Sequence, residues 1–239
     1  MASGRRPMDR PGLTVTAFDW VPGFAQGQVR DLRPRWALEE AELPYEVELL
    51  PQGAQETPEH LARQPFGQVP VLTLDGRSMF ESGACVWRIA ERSERLLPRD
   101  PGLRDSCLSW VIAALNTLEP PIMMMGMLWF FERWPDTFGL EDREAPGKVR
   151  GPARGMLDKR LAQFGRALAG RETIVGDGFT VADLMLTCVL LPAAQMDLLG
   201  AHPEVKAYYD RHSARPGFRK AQADQIAAFA ENAGKYRAA

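Results

Sequence analysis

The chain has 239 residues, of which 45% are apolar and 25% charged, and 29 Lys plus Arg against 31 Asp plus Glu leave a formal net charge of −2. At about 100–200 residues per domain this length accommodates one large domain or two small ones, and the apolar share excludes a disordered chain. The near-zero charge gives no global pull towards nucleic acid or anionic lipid, so neither is expected as a partner.

Residues 1–12, MASGRRPMDRPG, carry charge but no apolar segment, unlike a secretory signal. LTVTAF (13–18) alternates and is rich in β-branched residues, which predicts a strand. A turn with Pro22, Gly23 and Gly27 follows, and then a helix over 32–41. Asp31 is placed to cap that helix, with Pro34 in its first turn. A second strand is predicted over 43–50, and a short helix with Thr57 as cap and Pro58 at its first position. A third strand over 69–74 turns at Asp75-Gly76 into a fourth, RSMF, and a helix follows over 81–94. Beyond the breaker-rich stretch 97–102 the pattern is helical over 103–118, 149–169, 181–199, 204–213 and 217–231, and the polar tail from Asn232 is expected to fray. The longest strongly apolar stretch, 120–131, is shorter than the ~20 residues of a membrane helix, so no membrane is expected as a partner. The expected architecture is an α/β domain over 12–95, a linker over 96–103 and an all-helical domain over 104–231.

Three cysteines, Cys85, Cys107 and Cys188, are odd in number and widely spaced, with no CxxC. This fits a reducing cytoplasm rather than a disulfide framework, and Cys85, inside a helix, is expected to be buried and inert. His60, His202 and His212 lack metal-ligand spacing, so no metal is expected, and each is read as a surface or capping residue. No GxGxxG and no GxxxxGK[ST] occurs, so no nucleotide is expected.

Three local constellations carry chemistry. In GQVPVL (67–72) a proline opens a strand. With a cis Val69–Pro70 bond the main chain of Val69 faces outward, able to pair with an extended peptide; the bland alternative is a plain strand start. In FESG (80–83) Ser82 can cap a helix whose N-terminus suits a carboxylate, while Glu81 offers a partner to an ammonium. Together these suit the α-amino acid end of a ligand; the alternative is an ordinary cap. In FTVAD (179–183) Thr180 and Asp183 have capping-box spacing, a structural role.

These constellations, together with the strings RWALEEAELPYE (35–46), QPFGQVPVL (64–72), FESGACVWRIAER (80–92) and FTVADLML (179–186), resemble a soluble glutathione S-transferase of bacterial-like kind over residues 13–225. The resemblance implies a thioredoxin-like N-terminal domain with a mixed four-stranded sheet, an all-α C-terminal domain and a homodimer. It implies that Val69, before cis-Pro70, pairs with the cysteinyl part of glutathione, and that Glu81 and Ser82 hold the γ-glutamyl end. Gln55 or Gln68 would reach the glycyl carboxylate. Glutathione would be the co-substrate and a small apolar electrophile the second substrate.

The family stabilises the glutathione thiolate with a Tyr, Ser or Cys after the first strand, yet residues 19–35 contain no Ser, Thr, Tyr or Cys. The matched positions are Gln28, Val29 and Arg30. A thiol of pKa about 8.5 needs about 2.7 kcal/mol of anion preference to come down two units. Arg30, at the start of a helix, and the N–H groups of Val29 and Arg30 are the candidates; the alternative is that Arg30 and Arg33 are surface cations paired with Asp31 or a nearby Glu. The missing cysteine speaks against a disulfide reductase.

The resemblance puts the electrophile between the domains, against NTLEPPIMMMGMLWFF (116–131). There Pro120 and Pro121 are expected to kink or break the helix, and Met123, Met124 and Met127 either face a pocket or fill core and dimer interface. Residues 133–150 read as an extended loop. Beside conjugation stand a non-catalytic glutathione-binding or interaction protein of the same fold, and a glutathione-dependent isomerase.

Overall fold

The computed structural model describes residues 12–236. The elements run β1 (Leu13–Phe18), α1 (Leu32–Glu40), β2 (Glu46–Leu50), α2 (Pro58–Leu61), β3 (Leu72–Leu74), β4 (Arg77–Met79), α3 (Ser82–Ala90), α4 (Pro101–Ala113), α5 (Glu119–Arg133), α6 (Ala145–Leu168), α7 (Val181–Gln195), α8 (Pro203–Ser213) and α9 (Pro216–Asn232). Short 3-10 turns lie at Gly23–Ala25, Ala54–Glu56 and Ala233–Lys235. The N-terminal reading through Pro11 falls outside the described residues.

Contacts divide the chain into two units, one of the described residues through Leu97 together with those from Arg215, the other of Pro98–Ala214. The first holds a mixed sheet of order β2-β1-β3-β4, with β1 parallel to β2 and antiparallel to β3. Val15 and Ala17 alternate into its core. Beyond Leu72 the β1–β3 ladder continues by a side chain: Thr16 N–H donates to the Val71 carbonyl at 2.9 Å, and Val71 N–H donates to Thr16 Oγ1 at 2.7 Å. Thr57 Oγ1 accepts the His60 N–H at 3.3 Å and caps α2, with Pro58 opening the helix.

A helical domain over 104–231 was the expectation, but α9 groups with the sheet instead. Its buried positions Phe218, Ala221, Gln225 and Phe229 form one stripe. Phe218 meets Trp36 of α1 edge to face, centroids 5.0 Å apart. Arg215 makes a bidentate pair with Glu40, at 2.8 and 2.7 Å. Periodicity identifies an apolar stripe but not the surface it covers. Nor does the tail from Asn232 fray as far as Tyr236: the Tyr236 hydroxyl donates to Asp19 Oδ1 at 2.7 Å and its ring stacks on Trp20 at 5.0 Å.

In the second unit α7 is buried on almost every side, as a central helix must be. Pro120 and Pro121 do not break the helix before them. A π-helical segment, Ala114–Leu118, joins α4 to α5, and the prolines occupy the first turn of α5, where the missing N–H costs little. The continuous helix Pro101–Arg133 is 33 residues long and, by length and composition, apolar enough to cross a membrane, in contrast to the expectation from 120–131 alone; 44% of its most apolar window is buried in the protein. The loop expected over 133–150 ends early, because α6 begins at Ala145. Asp183 Oδ2 accepts the Thr180 N–H at 2.9 Å and Thr180 Oγ1 accepts the Ala182 N–H at 3.3 Å, completing a capping box.

His60 and His212 are buried rather than on the surface, and both donate through Nε2 to carbonyls, of Gln68 at 2.8 Å and Glu172 at 2.9 Å. A carbonyl only accepts, so Nε2 carries the hydrogen in each.

Candidate functional site

The β1–α1 connection ends at Val29 and Arg30, immediately before α1. Asp31 is not a side-chain cap. It is fully buried, accepts from Arg35 Nε at 2.7 Å and from Gln225 Nε2 at 2.7 Å, and burial pushes its carboxyl above the usual range against the pull of those partners. Arg30 is exposed. Arg33, expected as a surface cation, is buried, and its guanidinium donates to Ser82 Oγ at 3.1 Å. Among the described residues the Val29 N–H has no hydrogen-bond partner.

Val69 precedes Pro70 through a cis peptide bond. Among the described residues neither its N–H nor its C=O finds a partner, although the residue is only 7% exposed. The neighbouring peptides are fixed: the Gln68 carbonyl by buried His60, Val71 by Thr16. Gly67 has φ +62, and a Cβ there would come within 3.3 Å of the Gln55 carbonyl, so glycine is required. The Gln68 side chain is exposed. Gln55 Oε1 accepts the Gly53 N–H at 2.8 Å, which leaves its amide N–H groups to serve an anion.

At the start of α3, Glu81 has φ +68, a backbone that costs a non-glycine residue about 1–3 kcal/mol. Its side chain is exposed, while its carbonyl accepts the Cys85 N–H at 2.9 Å. Ser82 does not cap the helix; it is the first helical residue, and its hydroxyl takes Arg33 from α1. The Phe66 and Phe80 rings meet edge to face at 6.2 Å and tie the segment before Val69 to the one before Glu81. Val69, Pro70, Glu81, Ser82 and the start of α1 thus lie in one unit, with Ser82 tied to α1 through Arg33. Sequence reasoning missed His60, Arg33, Thr16 and Gln225; a Thr facing a strand-opening proline was the only local signal among them.

Cys85 is buried and its thiol pushed up to about 12, which leaves it inert. In the second unit Met123, Met124 and Met127 are exposed on α5, and Met125 is the one of this run that enters the core. No group of His, Cys, Asp and Glu suited to a metal occurs among the described residues.

Comparison with known proteins matches residues 32–92 to the model for the glutathione S-transferase N-terminal domain and residues 119–216 to that for the C-terminal domain. The second match stops where α9 begins. A probable glutathione S-transferase of Oryza sativa subsp. japonica is 31% identical over 193 residues, 77% of this chain and 86% of the rice protein. The relatives include plant proteins such as this one and a bacterial one from Escherichia coli O157:H7. Among solved structures, a glutathione transferase family member from Pseudomonas fluorescens, with two glutathione bound, superposes with TM-score 0.73 at 23% identity over 90% of this chain and 95% of its own. A glutathione S-transferase-I bound with lactoylglutathione gives TM-score 0.71 at 26% identity over 89% and 99%.

Proposed function

This chain belongs to the glutathione S-transferase family, and from that premise we propose that it holds glutathione against Val69, Glu81 and Ser82 and transfers the tripeptide's sulfur to a small apolar electrophile. The observation that supports the binding mode is the unpaired main chain of Val69, nearly buried yet without a partner among the described residues. Such a pair of groups is costly unless a ligand satisfies it. An extended cysteinyl residue supplies one acceptor and one donor in the required order. The Glu81 carboxylate takes the γ-glutamyl ammonium, and the Ser82 corner takes the neighbouring carboxylate. Gln55 or Gln68 donates to the glycyl end.

The reaction needs a thiolate. The Val29 N–H and Arg30, at the N-terminus of α1, stabilise it, and the thiol proton leaves to solvent. The sulfur lone pair then forms the C–S bond while the leaving group departs with its bonding electrons. The exposed methionine face of α5, Met123, Met124 and Met127, receives the apolar part of the electrophile. The protein acts as a homodimer in the cytoplasm, where its three buried cysteines stay reduced.

Calorimetry with glutathione, an ultraviolet thiolate scan of the complex and turnover of an aryl halide test this reading. Binding with a depressed thiol pKa and turnover, both lost in Arg30→Ala, is the expected result. The lack of a hydroxyl or thiol side chain over residues 19–35 favours one second reading, a glutathione-binding protein without turnover. It would bind glutathione with the thiol still protonated at neutral pH. Absence of binding would overturn both.

A further inference from the structure

We propose that the C-terminal segment is the positioning element for the thiol-facing turn: Gln222 and Gln225 of α9, with Tyr236 beyond them, hold the β1–α1 connection in the shape that presents Val29 and Arg30. This rests on the reading above that the turn stabilises the thiolate.

The connection is anchored from the C-terminal segment at both ends. At its start, Asp19 accepts the Tyr236 hydroxyl at 2.7 Å and Lys235 Nζ at 3.2 Å. Near its end, Gln222 Nε2 donates to the Gly27 carbonyl at 2.8 Å, and Gln225 Nε2 to the Val29 carbonyl at 3.2 Å and to Asp31 Oδ1 at 2.7 Å. Gly27 has φ +78, and a Cβ there would approach Ile226 at 3.3 Å and Gln222 at 3.4 Å, so α9 packs directly on the turn. Within the connection two further amides serve as staples, Gln26 to the Val21 carbonyl at 3.0 Å and Gln28 to the Phe24 carbonyl at 2.5 Å.

The direction of these bonds is what matters. In a trans peptide the C=O and the following N–H point opposite ways. Drawing the Gly27 and Val29 carbonyls towards α9 therefore turns the Gln28 and Arg30 N–H groups away from it; the Gln28 N–H is taken by the Ala25 carbonyl at 3.3 Å, and the Val29 N–H, on the peptide between these two held ones, has no partner among the described residues. The buried Asp31 carboxyl is occupied by Arg35 and Gln225. Gln225 Oε1 is buried with no partner among the described residues, a cost that the fold tolerates to keep the amide donor where it is. A turn built this way needs no Tyr, Ser or Cys of its own, because preorganised main-chain donors replace the side-chain hydroxyl.

Two variants of the full chain test this. Gln222→Met keeps length and adds no charge but cannot donate to Gly27, and it lies at a half-buried position. Gln225→Leu removes the buried donor. For each, the pKa of the bound thiol is read from thiolate absorbance against pH, and glutathione Kd from calorimetry, with circular dichroism as the folding control. The expected result is at least about threefold less thiolate at neutral pH, with Kd raised by no more than about fourfold, the share that a two-unit lowering of the thiol pKa itself contributes to binding at pH 7. Bound-thiol pKa values equal to the parent's in folded variants would overturn the proposal alone. A parent that binds no glutathione, or binds it without lowering the thiol pKa, would overturn the underlying reading and this inference with it.

Discussion

Asp183 offers a stability effect that can be worked out group by group. Its Oδ1 accepts the Ile174 N–H at 2.8 Å and the Tyr208 hydroxyl at 2.7 Å; its Oδ2 accepts the Thr180 N–H at 2.9 Å and Thr180 Oγ1 at 3.0 Å. The residue is fully buried. Asp183→Ala removes every acceptor and orphans two main-chain N–H groups and the hydroxyls of Thr180 and Tyr208. At about 1–3 kcal/mol for each buried unsatisfied donor, with part recovered by water in the vacated space, the expected loss is about 4 kcal/mol. Asp183→Asn keeps one acceptor oxygen but turns an NH₂ towards the Thr180 N–H, for a loss of about 2–3 kcal/mol. Tyr208→Phe deletes a single donor, for about 1 kcal/mol. Burial, and then the Asp183 charge, hold the Tyr208 hydroxyl well above its ordinary pKa, so it remains a donor throughout the accessible pH range. Urea unfolding followed by tryptophan fluorescence measures the series; with m of roughly 3 kcal/mol per molar, 4 kcal/mol displaces the midpoint by about 1.3 M. An Asp183→Ala protein within about 1 kcal/mol of the parent, or a reversed order among the three variants, would refute the assignment of this carboxylate as the hub of its unit.

Glu81 should separate stability from binding: Glu81→Gly is expected to be about 1 kcal/mol more stable than Glu81→Ala, because a residue without a Cβ is less strained at φ +68, ψ +114, while both weaken glutathione binding at least about tenfold by calorimetry. Burial alone would raise the Glu40 carboxyl, but hydrogen bonds from Arg215 and Trp36 outweigh it and hold the pKa below the ordinary 4.5. A depressed folded-state pKa contributes stability above the unfolded value and loses it as pH falls through the folded one, so this contribution, about 1 kcal/mol after solvent screening, should fade below pH about 4.5 in thermal melts. Arg215→Ala should flatten that limb, and an unchanged acid profile would argue against the pair. All three cysteines are buried, so the native protein should show no fast reaction with a disulfide reagent, and a rapidly labelled thiol would contradict their placement.

What could be read along the chain was whatever depends on neighbours a few positions apart. The alternation of LTVTAF, the Asp75-Gly76 turn, Pro58 behind Thr57 and the Thr180–Asp183 spacing each carry their own geometry, because capping, turn and strand preferences act within one or two turns of backbone. The four strands appear in order, although β2 and β3 are shorter at their starts, since Pro70 withholds an N–H and strand ends depend on a partner. The failures at the candidate site were of longer range. Asp31 looked like a cap until Gln225, 194 residues away, took its carboxylate, and Arg33 looked solvent-exposed until Ser82 took its guanidinium. The prolines of α5 looked like breakers because a π-turn before them has no signature in periodicity. An amphipathic stripe such as that of α9 announces that it must be buried, but many surfaces satisfy that demand equally, and only the folded chain selects one. That selection placed α9 behind the β1–α1 turn, where no pattern in residues 19–35 could have shown it.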